Sequence, residues 1–201
     1  MAAARARIVW PWQVRTPEIP DGAGTFGLAL FFVSLGMLFL ASVVGVLVVR
    51  LTAPEGAVRV GFPAIGWGST GALAAVSLSM HLGVRAIRGD RKRLFQGWMI
   101  AALASALAFL ILQTFFWTQL LGQELALERT VESGLYAFLL LTSLHAAHVL
   151  GGLVMQILVT VRALRNDYWS LHCGQVRGAA LYWHFIDLVW VALVAFLLAI
   201  R

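Results

Sequence analysis

The chain has 201 residues, of which 61% are apolar and 12% charged, and its formal net charge is +6. This composition excludes a water-soluble domain, because the apolar residues gather into blocks of about 20 residues or more, the length that crosses a bilayer. The placement of the positive charge beside these blocks indicates lipid headgroups as its partner and not nucleic acid. The single cysteine, Cys173, excludes an internal disulfide.

The sequence predicts an all-α, polytopic membrane protein built as one bundle of five transmembrane helices. An amino-terminal segment, residues 1–24, precedes a transmembrane domain of residues 25–201. The predicted spans are residues 25–49, 62–84, 94–122, 134–161 and 179–200. Each block is apolar around its whole circumference, which indicates contact with lipid or with other subunits. Small residues such as Gly71 and the pair Gly151-Gly152 are expected to let helices approach closely.

The basic residues are distributed unequally between the two sides of the membrane that these spans define. Eleven belong to the amino-terminal segment, the second connection and the fourth connection: Arg5, Arg7, Arg15, Arg85, Arg88, Arg91, Lys92, Arg93, Arg162, Arg165 and Arg177. Four belong to the other side: Arg50, Arg59, Arg129 and Arg201. The positive-inside rule therefore predicts that the amino terminus lies inside, in the cytoplasm or matrix, and the carboxy terminus outside.

Two pairs of ionisable side chains lie inside the apolar blocks. His145 and His148 share one side of the fourth span, and His184 lies one turn before Asp187, the one carboxylate in these blocks. A charge at such a depth costs at least roughly 2.5 to 3.5 kcal/mol, so these groups are expected to turn inward and find partners. Asp187 lies roughly 12 Å from the inner end of its span and the His pair roughly 20 to 24 Å, which predicts two separate polar patches.

Three interpretations of these patches are open: hydrogen bonds across helices, a proton-linked role, or a cofactor site. The sequence offers too few N and S donors for a metal centre. Trp190 also lies in mid-span, so its N–H is expected to have an acceptor either within the protein or in a partner subunit.

These residues also form motifs that resemble subunit III of the haem-copper terminal oxidases, over about residues 60 to 201. The segment from Tyr182 to Trp190, YWHFIDLVW, looks like the final-helix signature of that family. The segment from His145 to Gly151 is similar to its HxxHVxxG helix. A third segment resembles the family's GDRK connection and reads Gly89-Asp90-Arg91-Lys92-Arg93, with Gln113 at a matching place on the next helix.

The resemblance implies the short, five-span form of subunit III, in an energy-transducing inner membrane. Such a subunit is an accessory of aerobic respiration: it packs beside catalytic subunit I and other oxidase subunits, holds phospholipid, supports proton uptake and carries no redox centre. The resemblance therefore implies that this chain has no redox centre, metal or cofactor of its own. We expect the first two spans to contact the catalytic subunit. By the same resemblance Arg162 would face a lipid phosphate.

The chain departs from the family at two acidic positions. Leu35 and Phe116 stand where members of the family carry glutamates, so a role in proton uptake that depends on those acids is in doubt. The departure gives weight to an alternative, an accessory subunit of a nitric oxide reductase. Two further alternatives belong to other classes. One is a b-type cytochrome anchor that uses His145 or His148 with His184, and the other is a small proton carrier that uses His184 and Asp187.

Overall fold

The computed structural model describes residues 23–52, 64–125, 133–170 and 173–199. Within these ranges the chain forms five α-helices: α1 Ala23–Leu51, α2 Ile65–Arg88, α3 Lys92–Leu125, α4 Ser133–Leu164 and α5 Gly174–Ala199. All five are long and apolar enough to cross a membrane, which confirms the predicted all-α class and the number of spans. The predicted amino-terminal segment falls, but for its last two residues, outside the described part of the chain.

The helices extend beyond the predicted spans at their basic ends. α2 ends at Arg88, four residues after its predicted span, and α5 begins at Gly174, five residues before its own. Helical backbone hydrogen bonds form equally well in the headgroup region, where arginines are favoured, so a helix is often longer than the apolar block inside it. The apolar pattern therefore located each helix and underestimated its length.

The packing order of the helices differs from their chain order. α2 packs on α3 and α5, α4 packs on α3 and α5, and α1 rests on α4 and α5. In the described part of the chain α1 and α2 do not contact each other. α5 therefore packs on three helices, α1, α2 and α4, and α4 likewise packs on three, α1, α3 and α5.

α1 is the most peripheral of the five. Its most apolar stretch is 17% buried, against 44% for the corresponding stretches of α2 and α5. The side chains that α1 buries are Leu35, Phe39 and Val46. Most of its apolar surface therefore faces outward, as expected of a helix surrounded by lipid or by another subunit.

A tight turn connects α2 to α3 and contains the GDR motif. Asp90 has a positive φ of 52°, a left-handed conformation that aspartate tolerates better than most residues. The N–H of Arg91 donates to the carbonyl of Ala86 at 3.0 Å, and the N–H of Asp90 donates to Ile87 at 3.1 Å. These bonds satisfy the last carbonyls of α2 and reverse the chain at once. Locally, the motif therefore closes the α2–α3 hairpin.

α4 approaches α5 most closely at Gly152. A Cβ atom there would lie 2.8 Å from Cε1 of Tyr182 and 3.3 Å from Cζ2 of Trp183. Gly71 was expected to pack in the same way, but a Cβ atom there meets nothing within 4 Å. The small residue is therefore required on α4 and is not required at this position of α2.

We expect Gly152→Ala to lower the free energy of unfolding by about 1–3 kcal/mol, because the added methyl overlaps an aromatic ring. The ring cannot move freely, since the hydroxyl of Tyr182 donates to the carbonyl of His148 at 2.7 Å. The matched control is Gly71→Ala, which should change stability by less than about 0.5 kcal/mol or raise it slightly. Reversible unfolding of the detergent-solubilised protein measures both, and equal effects of the two substitutions would contradict this account.

Candidate functional site

His145 lies at the centre of the bundle and is fully buried. Its ring contacts aromatic rings from three other helices, with centroid separations of 6.1 Å to Phe39, 6.0 Å to Phe109 and 5.2 Å to Trp190. Neither ring nitrogen has a hydrogen-bond partner among the described residues. The imidazole therefore packs as one member of an aromatic cluster that joins α1, α3, α4 and α5.

His148 lies on the same side of α4 and is half-buried. Its Nδ1 is 2.8 Å from the carbonyl oxygen of Leu144, one turn earlier. Its ring lies 5.3 Å from that of Phe39 on α1. The backbone carbonyl of His148 accepts the hydrogen bond from Tyr182, so this turn of α4 connects both to α1 and to α5.

His184 and Asp187 turn instead toward α2, and both are half-buried. The ring of His184 lies 6.2 Å from that of His81, centroid to centroid. The Ser77 hydroxyl lies beside the Asp187 carboxyl and 3.4 Å from the carbonyl oxygen of Trp183. Because the hydroxyl has one proton, it can donate a hydrogen bond to only one of these two acceptors at a time. The two predicted histidine-containing pairs thus have different neighbours. The pair on α4 contacts Phe39 of α1, and the pair on α5 faces α2. His81 and Ser77 were missed, although His81 is an ionisable residue inside the second apolar block.

A buried hydrogen-bond chain that the sequence analysis did not identify joins α5, α4 and α3. The indole N–H of Trp183 donates to Oε1 of Gln156 at 3.1 Å. The amide nitrogen of Gln156 donates to Oγ1 of Thr160 and to the backbone carbonyl of Met99, both at 3.3 Å. All of the residues that form this hydrogen-bond network are buried. The signal in the sequence was Gln156, the one glutamine within α4.

Trp190 provides a second link, from α5 to α2. Its N–H donates to Oγ1 of Thr70 at 3.0 Å, so the predicted acceptor lies within the protein. The Thr70 hydroxyl in turn donates to the carbonyl of Gly66 at 2.9 Å. The rings of Phe109 and Phe116 meet the indole edge to face at 5.4 and 6.5 Å. The side chain is thus fixed both by a hydrogen bond and by aromatic packing.

A groove of about 590 Å³ opens between α1, α4 and α5. Its lining is mainly apolar and includes Leu28, Phe31, Gly151, Met155, Leu158, Val159, Gly178, Ala179 and Tyr182. Three polar side chains, Arg162, Tyr168 and Gln175, lie at one end. An apolar channel that terminates in a guanidinium has the chemistry to accept an acyl chain with an anionic headgroup.

The polar end of the groove is organised around the side-chain oxygen of Gln175. Arg162 donates to this oxygen, and the hydroxyl of Tyr168 donates to it at 3.0 Å. Burial raises the pKa of Tyr168, and Arg162 acts in the opposite direction. The phenol is therefore a neutral hydrogen-bond donor around neutral pH. The arrangement holds the exposed guanidinium of Arg162 at the mouth of the groove.

The remaining predicted residues lie at the α2–α3 turn. Gly89, Asp90 and Arg91 are exposed, and Gly89 and Arg91 line a shallow depression of about 450 Å³ with Arg85 and Trp98. Among the described residues no three His, Cys, Asp or Glu side chains converge as metal ligands would. The expectation that the chain has no cofactor of its own stays a prediction.

Comparison with known proteins gives one consistent family. A family model described as "Cytochrome c oxidase subunit III" matches residues 15–199. "Cytochrome c oxidase subunit 3" of Synechocystis sp. is 32% identical over 176 residues, which cover 84% of this chain and 72% of the relative. "Probable cytochrome c oxidase subunit 3" of Mycobacterium leprae is 31% identical over 132 residues, 64% of this chain and 63% of the relative. The match to the Equus caballus subunit covers 39% of that protein at 30% identity.

A double-mutant cycle tests the α5–α2 link. We expect Trp190→Phe and Thr70→Val to show a coupling free energy of about 0.6 to 1.7 kcal/mol, the range for hydrogen bonds between transmembrane helices. The control pair is Trp190→Phe with Thr118→Val, since the Thr118 hydroxyl bonds within its own helix. The control pair should be additive within about 0.5 kcal/mol. Additivity of Trp190 with Thr70 in unfolding measurements would refute the link.

Proposed function

We propose that this chain, which belongs to the cytochrome c oxidase subunit III family, serves as a non-catalytic accessory subunit of a haem-copper oxidase. In this role it packs beside the catalytic subunit in an energy-transducing inner membrane and holds phospholipid in the groove between α1, α4 and α5. The observation that carries the lipid-binding part is the groove itself, which pairs apolar walls with the Arg162 guanidinium.

The geometry at the polar end supports a phosphate-bearing lipid. Guanidinium binds phosphate with two parallel hydrogen bonds, and the long aliphatic stem of arginine can remain in the apolar zone while its head reaches the surface. Gln175 occupies part of the donor capacity of Arg162 and restricts its orientation. Leu28 and Phe31 of α1 and Tyr182 of α5 line the groove where an acyl chain would lie.

The use of the buried polar groups supports a structural role over electron transfer. Among the described residues two indoles are buried, those of Trp183 and Trp190. Both donate to side chains of neighbouring helices, and such bonds stabilise helix packing in membranes. His145 is enclosed by three aromatic rings, so ligation of a haem at this histidine would require those rings to move. This packing disfavours His145 as the axial ligand, which leaves His148 as the histidine of α4 that the cytochrome b alternative would have to use.

The proposed orientation has the amino terminus inside. The turn between α2 and α3 and the connection between α4 and α5 then lie on the same inner side, together with Arg91 and Arg162. This assignment follows the positive-inside rule. It would place the polar end of the lipid groove at the inner surface of the membrane.

We expect the tagged chain, solubilised in mild detergent from its native membrane, to co-purify with a haem-bearing catalytic subunit of a haem-copper oxidase. The chain expressed alone should show no Soret absorbance, because the proposal assigns it no haem. Mass spectrometry of the purified complex and an absorbance spectrum of the isolated chain measure the two outcomes. Recovery of the chain without such a partner, or with haem of its own, would refute the proposal.

We expect Arg162→Gln to weaken the binding of anionic phospholipid to the purified complex by about tenfold or more, since a charge-assisted hydrogen bond contributes about 1.5–3 kcal/mol. Arg165→Gln is the matched control, because Arg165 is an exposed arginine of the same connection that does not line the groove. Native mass spectrometry counts the retained lipids. Equal lipid content in the two variants would exclude Arg162 as the headgroup ligand.

A further inference from the structure

Two polar side chains, one on α3 and one on α4, are fully buried and have no hydrogen-bond partner among the described residues. Gln113 on α3 is 1% exposed, and both the nitrogen and the oxygen of its side-chain amide are unpartnered. His145 on α4 is 0% exposed, and both of its ring nitrogens are unpartnered. An amide and an imidazole thus lie in the interior of the bundle without the hydrogen bonds that their groups can form.

Contacts on either side of Gln113 indicate that it faces the turn of α4 that carries His145. One turn before Gln113, the ring of Phe109 lies 6.0 Å from that of His145, centroid to centroid. One turn after Gln113, the indole N–H of Trp117 donates to Oγ1 of Thr142 at 3.1 Å. Residues that are four apart follow one side of a helix, and residues 142 and 145 belong to one turn of α4. Gln113 therefore lies between two contacts that α3 makes with this single turn.

The two side chains also share a depth in the bundle. Phe109 pairs with the later residue of the α4 turn and Trp117 with the earlier one, so α3 and α4 run in opposite directions. At the helical rise, Gln113 lies about 6 Å from Trp117 along α3. His145 lies about 4.5 Å from Thr142 along α4, in the same direction across the membrane. Measured from the hydrogen bond between Trp117 and Thr142, the two positions therefore agree in depth to about 2 Å.

The rings that enclose His145 do not provide its hydrogen bonds. The ring of Trp190 lies 5.2 Å from that of His145, but its N–H donates to Thr70. The other two rings, those of Phe39 and Phe109, have no N–H or O–H group to donate. The aromatic cluster therefore packs around the imidazole and leaves both of its nitrogens for another partner.

Unpaired polar groups are unfavourable at this depth. Burial of an amide without a hydrogen bond costs free energy, and the hydrocarbon of a bilayer supplies no partner. Buried polar groups in native proteins are consequently bonded to protein or to ordered water in nearly all cases. A buried water forms about two to four hydrogen bonds to groups that the protein itself leaves unpaired. Gln113 and His145 offer both donors and acceptors to such a water.

We propose that the α3–α4 interface holds an internal water molecule that bridges the side-chain amide of Gln113 and the imidazole of His145. The water accepts a hydrogen bond from an N–H of one side chain and donates to the oxygen or ring nitrogen of the other. Water suits this pair because it both donates and accepts, whereas a metal ion or a simple anion does only one of the two. The site is distinct from the lipid groove, whose lining comes from α1, α4, α5 and the α4–α5 connection.

A density map of the protein purified from its native membrane, at a resolution that shows ordered waters, tests the proposal. We expect a water peak at about 2.7–3.2 Å both from a polar atom of the Gln113 amide and from a ring nitrogen of His145. The map of Gln113→Leu should lose this peak and keep the hydrogen bond between Trp117 and Thr142, which serves as the internal control. A direct hydrogen bond between Gln113 and His145, or a wild-type interface without this peak, would overturn the proposal.

A second double-mutant cycle measures whether the two side chains share one site. We expect Gln113→Leu to raise the unfolding equilibrium constant about threefold more in the wild type than in a His145→Phe background, where the water has already lost one of its two partners. The control combines His145→Phe with Gln156→Leu, because Gln156 bonds to Trp183 and lies about 16 Å away along α4. The control pair should be additive. Equal effects of Gln113→Leu in the two backgrounds would refute the bridge.

Discussion

The structure depends on one constraint: a polar group in the interior of a membrane protein needs a partner inside the protein. The two buried indoles meet this requirement across helix boundaries. Trp183 donates to Gln156 of α4 and Trp190 donates to Thr70 of α2. Both bonds originate on α5, and this helix consequently holds neighbours on two sides. The last helix of the chain is therefore joined to both α4 and α2 by buried hydrogen bonds.

Among the described residues, α1 is attached to α4 and α5 mainly by contacts between aromatic rings. Phe39 contacts His148, Phe32 contacts Phe185 at 5.3 Å, and Phe31 stacks on Tyr182 at 6.1 Å. Such contacts are separated along the helix and leave space between them. The groove with Arg162 at its end is the space that remains where α1 does not close against α4 and α5. A loosely attached first helix and a lipid-sized opening are thus two aspects of one packing arrangement.

The sequence predicted the number and approximate positions of the helices because apolar blocks of span length are a strong signal. It also predicted that the Trp190 N–H has an acceptor, either within the protein or in a partner subunit. It could not indicate which helices touch, because a helix that is apolar all round has no distinct face. The contact of His81 with His184 and the bond from Trp183 to Gln156 each join distant positions of the chain. No spacing rule connects such residues, and only the folded arrangement brings them together.

Leu35 and Phe116 are both buried, at 5% and 0% exposure, at the positions where the resemblance places acids. The loss of those acids is therefore accommodated by apolar packing, and Phe116 is part of the aromatic contact around Trp190. This chain therefore offers no carboxyl group at these two positions. Any proton that this chain supplied to a neighbouring reaction centre would have to come from groups at other positions, such as His81, His184 and Asp187.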